Sequence, residues 1–189
     1  MMRWMRVEGY VLTGGRSSRF GSDKALYTVN GRAMALHVAD ALRGLASTVT
    51  LVGDPERYGL LGLPVAPDRF PGAGPLGGIV TALANASSPW ILVVACDMPK
   101  LSDAPLASLL DPAARSKVRA VLPRTPDGRL QPLCAAYART ALGPLAGALR
   151  SGTRKVMEAM QTVPWRAIEM EDSAPFANVN RPSDLVGLG

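Results

Sequence analysis

The stretch WILVVACD, Trp90 to Asp97, opens with an uninterrupted apolar run of 7 residues and ends in an acid. A continuous run of this kind favours a parallel strand that is buried on both faces of a sheet. It is far shorter than the roughly 20 residues that a membrane span needs. We therefore expect Trp90–Cys96 to be a central strand, with Asp97 at the end where ligands of such sheets bind.

Strand-like and helical runs alternate on both sides of this segment. The strand-like runs are 10–13, 48–53, 63–67, 118–123 and 133–138, and the helical patterns are 33–45, 76–86, 142–152 and 153–161, with a short helix after Asp54-Pro55. Such alternation is typical of a mostly parallel sheet with helices on both faces. We expect an α/β fold: a single three-layer α/β/α domain spanning residues 1–189, with residues 1–6 as a frayed start.

Composition narrows the class of protein. The chain has 189 residues, is 48% hydrophobic and carries a formal charge of +6, which suits a globular domain with anionic ligands. Its basic residues are scattered and only 5% of residues are aromatic, which argues against nucleic acid as a partner. No stretch predicts a secretory signal or a membrane association, so we expect a cytoplasmic protein.

Structural roles account for most of the other reactive or charged residues. Cys96 and Cys134 are too few and too far apart for a disulfide framework or zinc site, so we expect two buried thiols. His37 lies in a helical pattern and is expected to be structural. The densest basic stretch contains Arg115, Lys117, Arg119, Arg124 and Arg129, which form either a solvated rim or a wall facing a second anionic substrate.

The first strand runs into VLTGGRSSRFGSDKAL, Val11 to Leu26. Gly14 and Gly15 allow close approach of backbone to a ligand, while Arg19 and Lys24 bring full positive charges. The spacing does not match a Walker A loop or the GxGxxG dinucleotide motif. We interpret the loop as a triphosphate site, with a solvent-facing Asp23-Lys24 segment; a surface loop without a ligand is the alternative.

Two carboxylates follow other strands. Asp97 would either hold Mg²⁺ or cap the next helix, since a carboxylate beside a buried strand needs a partner. Asp68 would accept hydrogen bonds from a guanine edge or a ribose hydroxyl, or else simply form a turn. The glycines of GPLGG, Gly77 and Gly78, would allow the backbone to approach a nucleotide, or would serve helix packing.

Four motifs together resemble one family. LTGGRSSRFGSDKAL, PDRFPGAGPLGGI (67–79), CDMP (96–99) and NVNRPSDL (178–185) are similar, in order and spacing, to the motifs of the molybdenum cofactor guanylyltransferases. The resemblance implies a Rossmann-like nucleotidyltransferase fold. It also implies transfer of GMP from GTP to the phosphate of molybdopterin, with Mg²⁺ as cofactor and transient cofactor-delivery or acceptor proteins as partners. A cytidylyltransferase, a sugar-phosphate nucleotidyltransferase and a non-catalytic nucleotide-binding module remain alternatives.

The resemblance also implies a set of site residues. Lys24, Arg19 and Asp97 would be catalytic, with Asp97 as the metal ligand. The substrate-binding residues would be these three together with Leu12, Thr13, Gly14, Gly15, Val52, Asp68, Gly77, Gly78, Gln131, Asn178 and Asn180. At Val52 the apolar side chain would leave base recognition to backbone groups. Asn178 and Asn180 would point the same way if their segment is extended, although a plain turn before a helix also fits.

Overall fold

A sheet with parallel strands at its centre forms the middle layer of the computed structural model. Among the residues that the structure describes (6–14, 23–115 and 117–185), the strands are β1 (Val7–Leu12), β2 (Thr28–Val29), β3 (Arg32–Ala33), β4 (Val49–Gly53), β5 (Val65–Pro67), β6 (Trp90–Ala95), β7 (Ala120–Arg124), β8 (Cys134–Ala138) and β9 (Trp165–Glu169). Seven of these described strands form one sheet in the order β5-β4-β1-β6-β8-β7-β9. Strand β8 runs antiparallel to β6 and β7, and the other pairs are parallel.

Helices cover both faces of the sheet, as the alternating pattern predicts. The α-helices are α1 (Met34–Arg43), α2 (Pro55–Tyr58), α3 (Pro75–Asn85), α4 (Asp103–Arg115), α5 (Leu142–Arg150) and α6 (Val156–Ala159). Short 3₁₀ helices lie at Gly59–Leu61, Arg139–Ala141, Met160–Thr162, Ala174–Phe176 and Pro182–Leu185. Helices α1 and α4 pack on one face, and α3, α5 and α6 pack on the other.

Strand β6 is buried on both faces, which confirms the interpretation of its apolar run. Leu92 and Val94 pack into the core under α1 and α4, while Ile91 and Val93 pack into the core under α3 and α5. Each such side chain contributes about 1.5–3 kcal/mol through burial. Because β1, β4, β5 and β6 are parallel, their carboxyl ends meet at one edge of the sheet. That edge holds the candidate site.

Two elements differ from the sequence prediction. Strand β9 was not expected, because its residues are only partly buried and it lies at the edge of the sheet, so its apolar pattern is weak. The hairpin of β2 and β3 was also not expected, although Asn30-Gly31 is a common two-residue hairpin turn with positive φ at both positions. Within the described ranges, no helix is both long enough and apolar enough to cross a membrane.

Candidate active site

Three residues that are far apart in the sequence meet at the carboxyl edge of the sheet. The Lys24 ammonium donates to Asn180 Oδ1 at 2.9 Å and lies 3.5 Å from Asp97 Oδ2. The side chains of Lys24 and Asp97 are only 17% and 22% exposed, so the Asp23-Lys24 segment does not simply face solvent, contrary to our sequence interpretation. A half-buried ammonium beside a carboxylate can exchange this partner for the oxygens of a bound anion.

The backbone around Asp97 is fixed by two neighbouring segments. Strand β6 ends at Ala95, two residues before this aspartate. The N–H of Cys96 donates to the carbonyl of Leu12, and the N–H of Val179 donates to the carbonyl of Asp97 at 2.8 Å. Helix α4 begins only at Asp103, so the alternative of Asp97 as its cap does not fit the structure. Burial raises the pKa of the Asp97 carboxyl, and the nearby Lys24 ammonium opposes that rise.

The turn that carries Asn180 is held by a carboxylate. Asp184 Oδ2 accepts the N–H groups of Asn180 and Arg181, at 2.8 and 2.9 Å. These hydrogen bonds lower the pKa of Asp184. Val179 is buried between the exposed residues Asn178 and Asn180, which is the alternation expected of an extended segment. Asn180 thus reaches Lys24 from a rigid turn, a role for Asp184 that we did not predict from the sequence.

An open cleft of about 1040 Å³ lies at the same edge of the sheet. Its walls come from the ends of β1, β4 and β5 and from the loop before α3; the lining residues are Gly14, Gly53, Asp54, Pro55, Arg57, Tyr58, Pro67, Asp68, Pro71, Gly72 and Gly74. Asp68 Oδ1 accepts hydrogen bonds from Phe70 N and from the hydroxyl of buried Thr81. Asp68 Oδ2 faces Gly14, 4.0 Å from the place that a Cβ there would occupy. The carboxylate is therefore held in one orientation with an acceptor toward Gly14.

Helix α2 connects the cleft to the segment around Lys24. The Tyr58 hydroxyl lies 2.9 Å from Asp23 Oδ2 and 3.2 Å from the carbonyl oxygen of Thr13, and Arg57 forms an ion pair with the same Oδ2 at 3.2 Å. Burial, and then the carboxylate of Asp23, raise the pKa of Tyr58 to about 12, so its hydroxyl remains a donor at neutral pH. Sequence reasoning missed Tyr58, Arg57 and Thr81, because no motif includes them.

Several expected site residues are packed against other parts of the fold. A Cβ on Gly78 would lie 3.1 Å from the side chain of Leu12, and one on Gly77 would lie 3.1 Å from the Phe70 carbonyl oxygen. Helix packing therefore accounts for both glycines, and their contact with a nucleotide stays a prediction. The side chains of Leu12 and Val52 lie in the core.

The backbone carbonyl of Val52 already accepts hydrogen bonds within the protein. Its carbonyl oxygen accepts both the N–H and the hydroxyl of Thr13, at 3.2 and 2.8 Å. Because a carbonyl oxygen has two lone pairs, this leaves no acceptor at Val52 for the base contact that we expected of its backbone. Thr13 is itself buried, and Gly14, the next residue, reaches the cleft.

The remaining expected residues have different positions. Gln131 is half-buried in the loop between β7 and β8, at the same edge of the sheet, and its N–H donates to the Pro123 carbonyl. Asn178 is exposed next to the buried Val179. Gly15 and Arg19 lie outside the described residues. The roles of all these residues in binding stay predictions.

The basic stretch does not form one wall. Arg124 ends β7 at the site edge and pairs with Glu169, and Arg129 pairs with Asp127 in the following loop. Lys117 and Arg119 precede the start of β7, at the opposite edge. The strand separates the charges, so the idea of a continuous surface facing an anionic substrate was wrong.

The cysteines and the histidine have the ordinary roles that we expected. Cys96 and Cys134 are buried free thiols, and burial raises the pKa of Cys96 to about 12. His37 Nε2 lies 2.8 Å from the Val29 carbonyl oxygen and joins α1 to the hairpin.

A mostly parallel sheet with a lysine, a carboxylate and an open cleft at its carboxyl edge fits one class of protein: a nucleotidyltransferase with a Rossmann-like α/β domain. The model of the MobA-like NTP transferase domain matches residues 9–163. The chain belongs to this family.

Curated relatives agree with this assignment. A probable molybdenum cofactor guanylyltransferase of Pelotomaculum thermopropionicum is 36% identical over 190 residues, which cover 96% of this chain and 91% of the relative. A protein with the same name from Deinococcus radiodurans is 36% identical over 181 residues, covering 94% and 91%. The crystal structure of molybdopterin-guanine dinucleotide biosynthesis protein A from Archaeoglobus fulgidus superposes with a TM-score of 0.81 at 24% identity, covers 95% of each chain, and has the same fold.

Proposed function

We propose that this enzyme transfers GMP from GTP to the phosphate of the molybdenum-molybdopterin cofactor. An oxygen of the acceptor phosphate forms a bond to the α-phosphorus of GTP. The bond from that phosphorus to the oxygen bridging the β-phosphate breaks, and pyrophosphate leaves with the electron pair. The observation that carries the proposal is the meeting of Lys24, Asp97 and Asn180 beside the cleft that contains Asp68.

Charge is the main obstacle to this reaction, because both reactants are anions. An enzyme can overcome it by positioning the reactants and by placing preorganised positive groups where negative charge develops. Lys24 is suited to this role, since Asn180 and Asp97 already hold its ammonium at the edge of the sheet. Arg19 would add a second positive charge from the same loop. Asn178 and Gln131 would lie on the acceptor side.

Asp68 supports guanine as the base. A carboxylate accepts hydrogen bonds but donates none when ionised, and guanine presents N1–H and an exocyclic amino group side by side. Thr81 and Phe70 N orient the carboxylate, and its Oδ2 faces Gly14 at the cleft. The cleft, at about 1040 Å³, is slightly larger than the range of about 300–1,000 Å³ that is common for small-ligand sites.

Asp97 would hold the divalent metal that nucleotidyltransferases of this family normally use, and we propose Mg²⁺. Its carboxylate is a hard oxygen ligand on a fixed backbone, which fits such an ion. Among the described residues, no group of three or more His, Cys, Asp or Glu side chains could hold a metal by itself. Asp97 would be one of the ligands of the ion. When bound, Mg²⁺ would neutralise part of the phosphate charge.

Label transfer tests this function directly. The purified protein is incubated with molybdopterin, Mg²⁺ and one α-labelled nucleotide at a time: GTP, CTP, ATP or UTP. We expect label to enter the cofactor from GTP, and unlabelled GTP to compete better than unlabelled CTP. A preference for CTP would overturn the guanine assignment. No transfer from any nucleotide, by protein that melts cooperatively, would contradict the proposed reaction.

A further inference from the structure

One hydroxyl joins two chain positions that are ten residues apart, Thr13 and Asp23. Tyr58 Oη lies within hydrogen-bond distance of the Thr13 carbonyl, 3.2 Å away, and of Asp23 Oδ2, 2.9 Å away. Thr13 and Asp23 are ten positions apart in the sequence, and residues 15–22 lie between them. Tyr58 is only 4% exposed, and although its side chain is part of the wall of the cleft, its hydroxyl lies against these two oxygens.

The tyrosine ring is itself held in place. A Cβ on Gly53, at the end of β4, would lie 2.6 Å from a ring carbon of Tyr58, closer than real Cβ contacts allow. Position 53 therefore has to be glycine for the ring to sit at this edge of the sheet. Helix α2 follows directly after Asp54, whose side chain accepts the N–H of Glu56 at the start of the helix. The position of the hydroxyl is thus set by the packing of the ring at Gly53 and by the capped start of α2.

Asp23 connects the fixed Tyr58 hydroxyl to the neighbouring residue, Lys24. Its Oδ1 accepts the N–H of Ala25 at 3.0 Å, and its Oδ2 is bound by Tyr58 and by Arg57. Both neighbours of Lys24 in the chain are therefore fixed, because Ala25 is also fully buried. The carboxylate would otherwise repel a phosphate chain bound by Lys24. Its contacts with Tyr58 and Arg57 spread that negative charge over donors on α2.

We propose that Tyr58 is a positioning residue for triphosphate binding, acting through Asp23 on Lys24, an inference that rests on the proposed function. Without the hydroxyl, Asp23 and Lys24 would spend less time in the arrangement that binds phosphates. The apparent affinity falls in proportion to that competent fraction. One hydrogen bond of this kind corresponds to a change of about threefold to tenfold. The loss of affinity should be larger for ligands with a chain of phosphates than for ligands with one phosphate.

The test compares Tyr58→Phe with a matched control, Tyr10→Phe. Tyr10 is also buried and donates its hydroxyl to Glu8 at 2.8 Å, but Glu8 lies at the opposite end of β1. The dissociation constants of GTP and GMP are measured for each protein in Mg²⁺ buffer, together with melting temperatures. For Tyr58→Phe we expect the GTP constant to rise about threefold to tenfold and the GMP constant to change less than twofold. For Tyr10→Phe we expect neither to change. Equal losses for GTP and GMP, or no loss at all, would overturn the proposal.

Asp23→Asn keeps the proposal testable if Tyr58→Phe proves unstable, and a double-mutant cycle tests the action through Asp23 when both variants fold. Asp23→Asn removes the charge that Tyr58 and Arg57 bind, and should weaken GTP binding by a similar factor. Because both substitutions break one connection, their effects on GTP affinity should not add in the double variant. Full additivity would contradict an action through Asp23. If the wild-type protein preferred CTP, the guanine assignment would fail, and the same comparison with CTP and CMP would still decide the role of Tyr58.

Discussion

Removing the charge of Lys24 and removing the charge of Asp97 should affect transfer alike and stability differently. Two unit charges 3.5 Å apart attract by about 5 kcal/mol at an effective dielectric constant of about 20. Much of this attraction only offsets the cost of taking both groups out of water. The substitutions to compare are Lys24→Met, which keeps a long apolar side chain, and Asp97→Asn, which keeps the shape and one acceptor oxygen.

Lys24→Met leaves a largely buried carboxylate without its cation. A penalty of about 2 kcal/mol is expected for such a group, which lowers the melting temperature of a domain of this size by about 4–8 °C. Asp97→Asn leaves Lys24 with Asn180 and a neutral amide oxygen, so it should cost less than about 1 kcal/mol. The double variant should melt above Lys24→Met, because it contains no uncompensated carboxylate.

Turnover should fall by about 10²–10³ in each single variant, since each lacks one preorganised charge at the reacting phosphates. The assay is label transfer from GTP over a series of Mg²⁺ concentrations, with melting curves recorded in EDTA. Normal turnover of Asp97→Asn at the same Mg²⁺ level would refute the metal role of this residue. Equal losses of stability in Lys24→Met and Asp97→Asn would refute the account of the ion pair.

Three further predictions concern residues around the site and at the opposite edge. Thr81→Val removes the hydroxyl that orients Asp68, so GTP affinity measured by titration should fall about threefold to tenfold, whereas Thr81→Ser should retain it; an unchanged Thr81→Val would contradict this role. Burial would raise the pKa of Glu8, but hydrogen bonds from Ser87, Tyr10 and Ser88 lower it to about 2. The contribution of Glu8 to stability should therefore be complete above about pH 4.5 and be lost as the pH falls toward 2, by roughly 3 kcal/mol in total. Melting curves of Glu8→Gln at acid pH should lack this part of the decline. Gly53→Ala would place a methyl group against the Thr13 hydroxyl, so it should lower the melting temperature by several degrees; a wild-type value would count against the close packing.

The order of most strands and helices could be predicted from the sequence, because it depends on local patterns of hydrophobic residues. The apolar run from Trp90 and the pattern beginning with Pro75 both gave the expected strand and helix. Elements with a weak hydrophobic pattern were not predicted: β9 is half-exposed, and the β2–β3 hairpin contains only two residues in each strand. Local hydrophobic periodicity identifies buried elements well, and it carries little information about short or edge strands.

By itself the sequence determined the fold class, the edge of the sheet where ligands bind, and the family, through four motifs in a fixed order. Only the tertiary structure decided which residues meet there. Lys24 and Asn180 are 156 positions apart, and their contact exists because Val179 is hydrogen-bonded to Asp97 at the end of the central strand. Tyr58 and Thr81 belong to no motif. Their hydrogen bonds, about 3 Å long, join elements that are distant in the sequence, and no local pattern encodes such contacts. Spacing along a chain limits which residues are neighbours on one helix or strand, whereas contacts between elements follow from how the whole sheet packs.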